Sequence, residues 1–264
     1  MGSATREALA RSVSALAAQG PKADLATAED LFAAGRVVAD SAQLRAVLTD
    51  PSADPAGKAA LVRRVFASLS APAVELLAAV AGERWSDADD LLAAIEELGF
   101  RAIAQSAPAG TDIAAELFAF GGAVTSDAQL ELALRSKLAE PSAKSDLVER
   151  LLAGKASAQT IAIVRQLVLQ PRGRSMREGL REAARTVASQ SGEVVATVVT
   201  ARLLPDAQVE RLRAALSATY GTRIQVNQVV DPTILGGLRV QIGDDVIDGS
   251  IASRITDLRL QLVG

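Results

Sequence analysis

Apolar positions recur at helical spacing from residue 3 to about residue 190, and at a spacing of two beyond it. Leu9, Val13 and Leu16 share one helical face, and Leu31, Val38, Leu44 and Leu48 continue the pattern. Polar and turn-forming residues divide this stretch into helices predicted at 3–18, 22–39, 41–49, 55–68, 71–82 and 86–105. A second series is predicted at 110–125, 127–138, 141–153, 157–170 and 174–190. The helix starts carry their own chemistry. Asp54-Pro55 places a capping acid before a proline at the first helical position. Asp87, Asp89 and Asp90 load negative charge where the helix dipole favours it.

After Ser189 the pattern changes. Val194 to Val199 is rich in β-branched residues and reads as a strand. Residues 206–220 form an amphipathic helix with Val209, Leu212 and Leu216 inward and Pro205 at its start. Ile224, Val226 and Val230 alternate with Gln225 and Asn227 in a second strand, and Leu238, Val240 and Ile242 with Arg239 and Gln241 in a third. Gly243-Asp244-Asp245 is a hairpin turn into a return strand at Val246-Ile247. Ser250 then caps a last helix with Ile251, Ile255, Leu258 and Leu262 on its apolar face.

The second helical series repeats the first. Leu31-Phe32-Ala33-Ala34-Gly35 aligns with Leu117-Phe118-Ala119-Phe120-Gly121, and Ala42-Gln43-Leu44 with Ala128-Gln129-Leu130. Pro55, Lys58, Leu61, Val62 and Arg64 align with Pro141, Lys144, Leu147, Val148 and Arg150, always 86 positions apart and without a gap. Residues 28–66 and 114–152 share 16 identities, where chance in so alanine-rich a chain gives roughly three or four. This is a duplication, and two copies are too few for a long solenoid. A six-helix unit at 3–105, shifted by 86, overlaps its copy at the helix predicted for 86–105, which would then either end one bundle and open the next or belong to only one of them. The fold class expected is α+β, mostly α: two tandem helical bundles (1–105 and 106–190) followed by a small α/β domain (191–264).

Composition narrows the function. The 264 residues include no cysteine and no histidine. Disulfides, thiol chemistry, Cys/His zinc sites and imidazole general bases are all excluded. A net charge of −3 lacks the basic excess of a nucleic-acid binder. Nowhere do about 18 apolar residues run together, so no direct membrane insertion is expected. Residues 1–20, interrupted by Arg6, Glu7 and Arg11, do not read as a signal peptide.

Several constellations invite chemistry and have plainer readings. Gly57-Lys58 and Gly154-Lys155 resemble a phosphate loop but lack its first glycine and the Ser or Thr after Lys, so they read as helix-end residues. Asp87, Asp89 and Asp90 could hold a metal, but first-turn acids do this job without one. Asp244-Asp245 reads first as a turn. Arg172, Arg174 and Arg177 could hold a phosphate, yet read better as a solvated basic patch or a salt-bridged partner contact, and Arg63-Arg64 as an exposed helical pair. No catalytic residue, metal or cofactor is expected.

The tail carries a resemblance. Val230-Asp231-Pro232-Thr233-Ile234-Leu235-Gly236-Gly237-Leu238-Arg239-Val240-Gln241-Ile242-Gly243-Asp244, followed by Ile247-Asp248-Gly249-Ser250, resembles the C-terminal signature of the delta subunits of F-type ATP synthases. The mitochondrial members of that family are called oligomycin sensitivity-conferring proteins. The likeness extends back through residues 110–190, including Glu140-Pro141-Ser142-Ala143-Lys144, to the family's helical bundle. The extra copy at 1–105 is similar to the duplication in some actinobacterial members. The family's opening Tyr-Ala is absent here, Thr5-Arg6-Glu7-Ala8-Leu9 standing in its place. The signature residues have structural tasks. Gly236 and Gly237 permit positive φ, Pro232 marks a strand end, and Asp248 and Ser250 can cap the last helix.

The resemblance implies a non-catalytic stator component. Its helical part would grip N-terminal helices of the ATP synthase α subunits, and its α/β domain the C-terminal end of the peripheral-stalk b subunit. Localisation would be peripheral, at the cytoplasmic face of the cell membrane, through the complex. In the family the α-subunit groove lies between the first and fifth helices. Mapped here, it takes Leu9, Val13, Val74, Leu77 and Val80 in the first copy, and Ile161, Val164, Leu167 and Val168 in the second. The same residues at helical spacing also read as bundle core. Two bundles imply two α contacts, or one contact and a brace on the stalk. A free helical-repeat adaptor unrelated to ATP synthase would explain the duplication but not the signature. An enzyme built on the tail has little to work with in some 70 residues without His.

Overall fold

The computed structural model describes residues 2–136, 139–234, 236–243 and 245–249. It divides into two compact units, Met1–Val187 and Ala188–Gly264. The first is helical: α1 (Ser3–Gln19), α2 (Leu25–Asp40), α3 (Ala42–Thr49), α4 (Pro55–Val65), α5 (Ala71–Gly82), α6 (Ala88–Gln105), α7 (Ile113–Ser126), α8 (Ala128–Arg135), α9 (Pro141–Leu152), α10 (Ala158–Leu169) and α11 (Met176–Gln190).

Side-chain caps set most of the starts. Asp24 accepts from the Thr27 N–H in a capping box, Asp54 from Gly57, Asp87 from Asp90, Asp112 from Ala115, and Ser157 from Thr160. Each such cap satisfies a backbone donor that the helix itself cannot, worth about 1 kcal/mol. The second helix begins at Leu25 rather than at 22, because Gly20–Lys22 forms a 3-10 turn and leaves Asp24 as the first residue able to cap. Pro205, expected inside its helix, is instead the N-cap of α12 (Asp206–Tyr220).

The duplication is visible in the elements. Ala42 and Ala128 open α3 and α8, and Pro55 and Pro141 open α4 and α9, each pair 86 positions apart. The series α2 to α6 is repeated as α7 to α11. By the same shift α6 is the counterpart of α1, so it is the sixth helix of the first copy and the first helix of the second. It packs against α1, α2, α3 and α5 of the first copy and against α10 of the second. One apolar cluster accordingly runs from Ala8 to Val187. Leu16, Leu31, Leu76, Leu91, Leu98, Phe100, Ile103, Leu117 and Ile163 are its largest fully enclosed aliphatic and aromatic side chains. Alanine-rich faces let the helices approach closely. The closest approach is at Gly99 of α6, where an added Cβ would fall 2.2 Å from Phe32 Cε1 of α2.

The second unit holds β1 (Glu193–Thr200), α12, β2 (Arg223–Val230), β3 (Leu238–Ile242) and β4 (Asp245–Asp248), with sheet order β2-β1-β3-β4. β1 and β2 run parallel, with α12 as the crossover between them (Val194 opposite Ile224, Thr200 opposite Val230). β3 pairs antiparallel with β1, and β4 returns along β3. Ala196, Val198, Ile224, Val240 and Ile242 pack with Leu216 of α12 in a small core. Val209, expected inward, is half-buried. The predicted last helix from Ile251, its cap Ser250, and Leu235 and Asp244 lie outside the described residues.

Candidate functional site

The nine apolar residues mapped to a groove separate into two groups. Leu77, Val80, Val164, Leu167 and Val168 are each 3% exposed or less and are core. The fifth helix of the first copy explains this, since α5 packs against α1, α2, α3, α4 and α6 and has little free perimeter. Leu9, Val13, Val74 and Ile161 are half-buried at the edge of that core. Leu9 and Val13 of α1 with Val74 of α5 lie along a pair of helices in direct contact. Polar ties fix α1 against the end of α5 and the start of α6. Arg11 on α1 meets Glu83, just past α5, at 2.7 Å. Thr5 Oγ1 donates to Asp90 Oδ2 at 2.5 Å and accepts from the Ser86 N–H at 3.2 Å.

The second copy is arranged differently, because α2 reaches its α10. Arg36 Nη1 donates to Gln166 Oε1 at 2.5 Å, and Gln170 Nε2 to the Gly35 carbonyl at 3.4 Å. Arg165 pairs with Glu29 of α2 and, at 3.1 Å, with Glu149 of α9. Burial, aided by the nearby Arg165 charge, lowers the pKa of Arg36 from the ordinary guanidinium value.

Arg172 and Arg174 are neither a solvated patch nor a free partner contact, correcting the expectation from sequence. Both reach Glu96 of α6, whose side chain is 3% exposed: Arg172 Nη1 to Oε2 at 2.9 Å, and Arg174 Nη2 to Oε2 at 2.7 Å. Arg174 also meets Glu182 of α11 at 2.5 Å. Burial alone would lower the pKa of Arg174, but the charges of Glu96 and Glu182 outweigh it and the net shift is upward. The turn that aims them takes left-handed backbone at Arg172 (φ 51°) and Gly173 (φ 76°). Arg63 pairs on the surface with Glu75, and Arg177 donates to Thr125. Lys58, read as an ordinary helix-end residue, is instead buried, with Nζ donating to the Leu48 carbonyl at 3.1 Å. Asp87 is spent on capping α6, and no cluster of metal-ligating side chains occurs among the described residues.

One repeated device escaped the sequence reading. Asp30 on α2 accepts the Ser70 N–H at 2.8 Å at the start of α5. Glu116, 86 positions later on α7, accepts the Ser157 N–H at 2.9 Å, its hydroxyl at 2.6 Å and the Thr160 hydroxyl at 2.5 Å at the start of α10. The signal was an acid at the same repeat position in both copies. Burial raises the Glu116 pKa, but these hydrogen bonds outweigh it and the net shift is downward. Glu116→Gln is expected to lose about 1.5–3 kcal/mol at neutral pH. A carboxylate held below its unfolded value stabilises fully above that value and loses the contribution as pH falls through the folded one. Urea unfolding of both proteins should therefore show the gap closing below the ordinary carboxylate value of 4.5. An equal gap at every pH would contradict the ionic account.

Where it is described, the C-terminal signature makes contacts within its own unit. Asp231 Oδ1 accepts from the Thr233 hydroxyl (2.6 Å) and N–H (2.9 Å), which lower its pKa, while Pro232 follows the end of β2. Gly236 and Gly237 take φ of 147° and 84°, conformations that side-chain-bearing residues avoid. Gly249 donates to the Leu238 carbonyl at 2.9 Å, and an added Cβ would crowd that oxygen at 3.2 Å. Asp248 pairs with Arg239 at 3.2 Å from within β4; the helix end it was expected to cap is outside the described residues.

Residues 100–262 match the family model described as ATP synthase delta (OSCP) subunit. Similarity to an ATP synthase subunit delta from Leifsonia xyli subsp. xyli is 74% identity over all of both chains. A subunit delta from Streptomyces avermitilis is 42% identical over 89% of this chain and 88% of its own. Among solved structures, a chain of the Toxoplasma gondii mitochondrial ATP synthase hexamer aligns at TM-score 0.42 and 19% identity, covering 64% of this chain and 95% of that one.

Proposed function

The chain belongs to the ATP synthase delta (OSCP) subunit family, a non-catalytic stator component of F-type ATP synthase, and on that premise we propose that it joins the catalytic α/β hexamer to the b subunit of the peripheral stalk. The helical unit takes the N-terminal helix of an α subunit, and the α/β unit takes the C-terminal end of b. This keeps the hexamer from turning with the rotor, so that proton-driven rotation is coupled to ATP synthesis.

The observation that supports this reading is that Leu9 and Val13 of α1 and Val74 of α5, on two helices in direct contact, are half-buried rather than enclosed. A static joint needs long-lived contact rather than chemistry. An amphipathic helix laid on an apolar seam supplies it, and nanomolar affinity corresponds to about 12 kcal/mol. No described helix is long and apolar enough to cross a membrane. On the family reading, the chain sits at the cytoplasmic face of the membrane through its partners.

Calorimetric titration with a synthetic peptide from the N-terminus of the cognate α subunit tests the first joint. Saturable submicromolar binding is expected, and a peptide from the C-terminal end of b should bind independently. A folded chain that binds neither would be an adaptor of another kind.

A further inference from the structure

The repeat provides its own template for a helix seated on this fold. α6 stands in the second copy where α1 stands in the first, and Ala8, Ala18 and Gln19 recur there as Ala94, Ala104 and Gln105. In this register Leu9 and Val13 correspond to Ile95 and Gly99. Both α6 residues lie under α2. An added Cβ at Gly35 would stand 3.4 Å from Ile95 Cγ2, and the Phe32 ring rests on Gly99. Through Glu29, Gly35 and Arg36 the same helix also bonds to α10. α2 therefore spans the α6/α10 pair. The α1/α5 pair is the same pair one repeat earlier. There Leu9 and Val13 are only half-buried, whereas Ile95 is 2% exposed.

We infer that the chain has one external helix site, on α1/α5, and that the equivalent α6/α10 site is closed by α2, an occupant built in by the duplication. The identity of the external helix, the N-terminal helix of an α subunit, rests on the function proposed above; the count of sites rests on the repeat. A terminal repeat that only ends a stack carries a polar outer face, whereas α1 carries Leu9 and Val13 at the two positions that α2 covers on α6. The template also sets the occupant's shape. Val13 fills the space that Gly99 leaves for an aromatic ring, so the incoming helix needs a small side chain at the position equivalent to Phe32. Leu9 is as bulky as Ile95, so the residue three further on, equivalent to Gly35, must be small as well. Ala79, partly exposed, stands where Arg165 pairs with Glu29 of α2, so the external contact lacks that charge.

The test is calorimetric titration of the full chain with the α-subunit peptide, joined to chemical protection. One site per chain is expected, and Val13→Asp should weaken it about tenfold or more, with circular dichroism confirming its helix content. Protection does not depend on the fold of that variant. The chain has no cysteine, so in Ala10→Cys a maleimide modifies the exposed outer face of α1 alone. Bound peptide should slow that reaction about tenfold, while Ser142→Cys on α9 reacts at an unchanged rate. Two sites per chain, or one site that leaves Cys-labelling at position 10 unprotected and is indifferent to Val13→Asp, overturns this inference and leaves the proposed function standing. A folded chain that binds no α peptide overturns both.

Discussion

Glu96→Ala is expected to destabilise the helical unit by about 3–5 kcal/mol, the cost of removing one member of a buried ionic group. Glu96 is 3% exposed and receives both Arg172 and Arg174, themselves only 17% exposed. With the carboxylate gone, two guanidinium groups remain partly desolvated. Arg174 keeps Glu182, which is 54% exposed and screened by solvent; Arg172 keeps the Asp89 carbonyl at 3.2 Å. Neither replaces a buried carboxylate. The loop would also lose the reason for its left-handed residue, since Arg172 at φ 51° is held there against an intrinsic cost of about 1–2 kcal/mol. The measurement is urea unfolding followed by helical circular dichroism. The two units can melt separately, so the transition of the helical unit is the one to compare. A loss below about 1 kcal/mol would mean that the cluster is solvated and replaceable.

Gly99→Val should cost about 3 kcal/mol, the upper end for overpacking a core. The added Cβ would fall 2.2 Å from Phe32 Cε1 and 2.8 Å from Cδ1 and Cζ. The ring cannot swing away freely. It is 3% exposed and stacks edge-on to Phe100, with centroids 5.6 Å apart and planes at 61°. Because the contact joins α2 to α6, relief would have to come from moving whole helices. Phe32→Leu in the same chain should restore part of the loss, and a double-mutant cycle measures how much. Simple additivity of the two substitutions would show that the ring and the glycine do not constrain each other.

Much of the architecture was legible from local pattern. Helix starts depend on a side chain and a backbone N–H about three residues away, so Asp54-Pro55 and Asp87 could be read directly. The 86-residue duplication needed only comparison of the chain with itself; that the helix at Ala88–Gln105 packs with both copies came from the tertiary structure. The α/β tail was readable because strand alternation and glycine at positive φ are local properties, as at Gly236 and Gly237.

What escaped was decided over long separations. Glu96 meets Arg172 and Arg174 across 76 and 78 residues, and no spacing rule connects an acid in one helix to a loop four helices later. For the same reason the arginines read as a surface patch and Lys58 as a helix-end residue. The candidate groove shows the same division. Periodicity marks Leu9, Val74, Leu77 and Val164 alike as apolar-face residues, because it reports which side of a helix is apolar and not how many neighbours cover that side. Only packing separates Val164, 0% exposed, from Leu9 and Val74 at the rim. The sequence by itself determined the elements, their repetition and the family, all of which are written in local or periodic order. The tertiary structure decided which apolar faces are closed, because closure depends on a second helix brought from far along the chain.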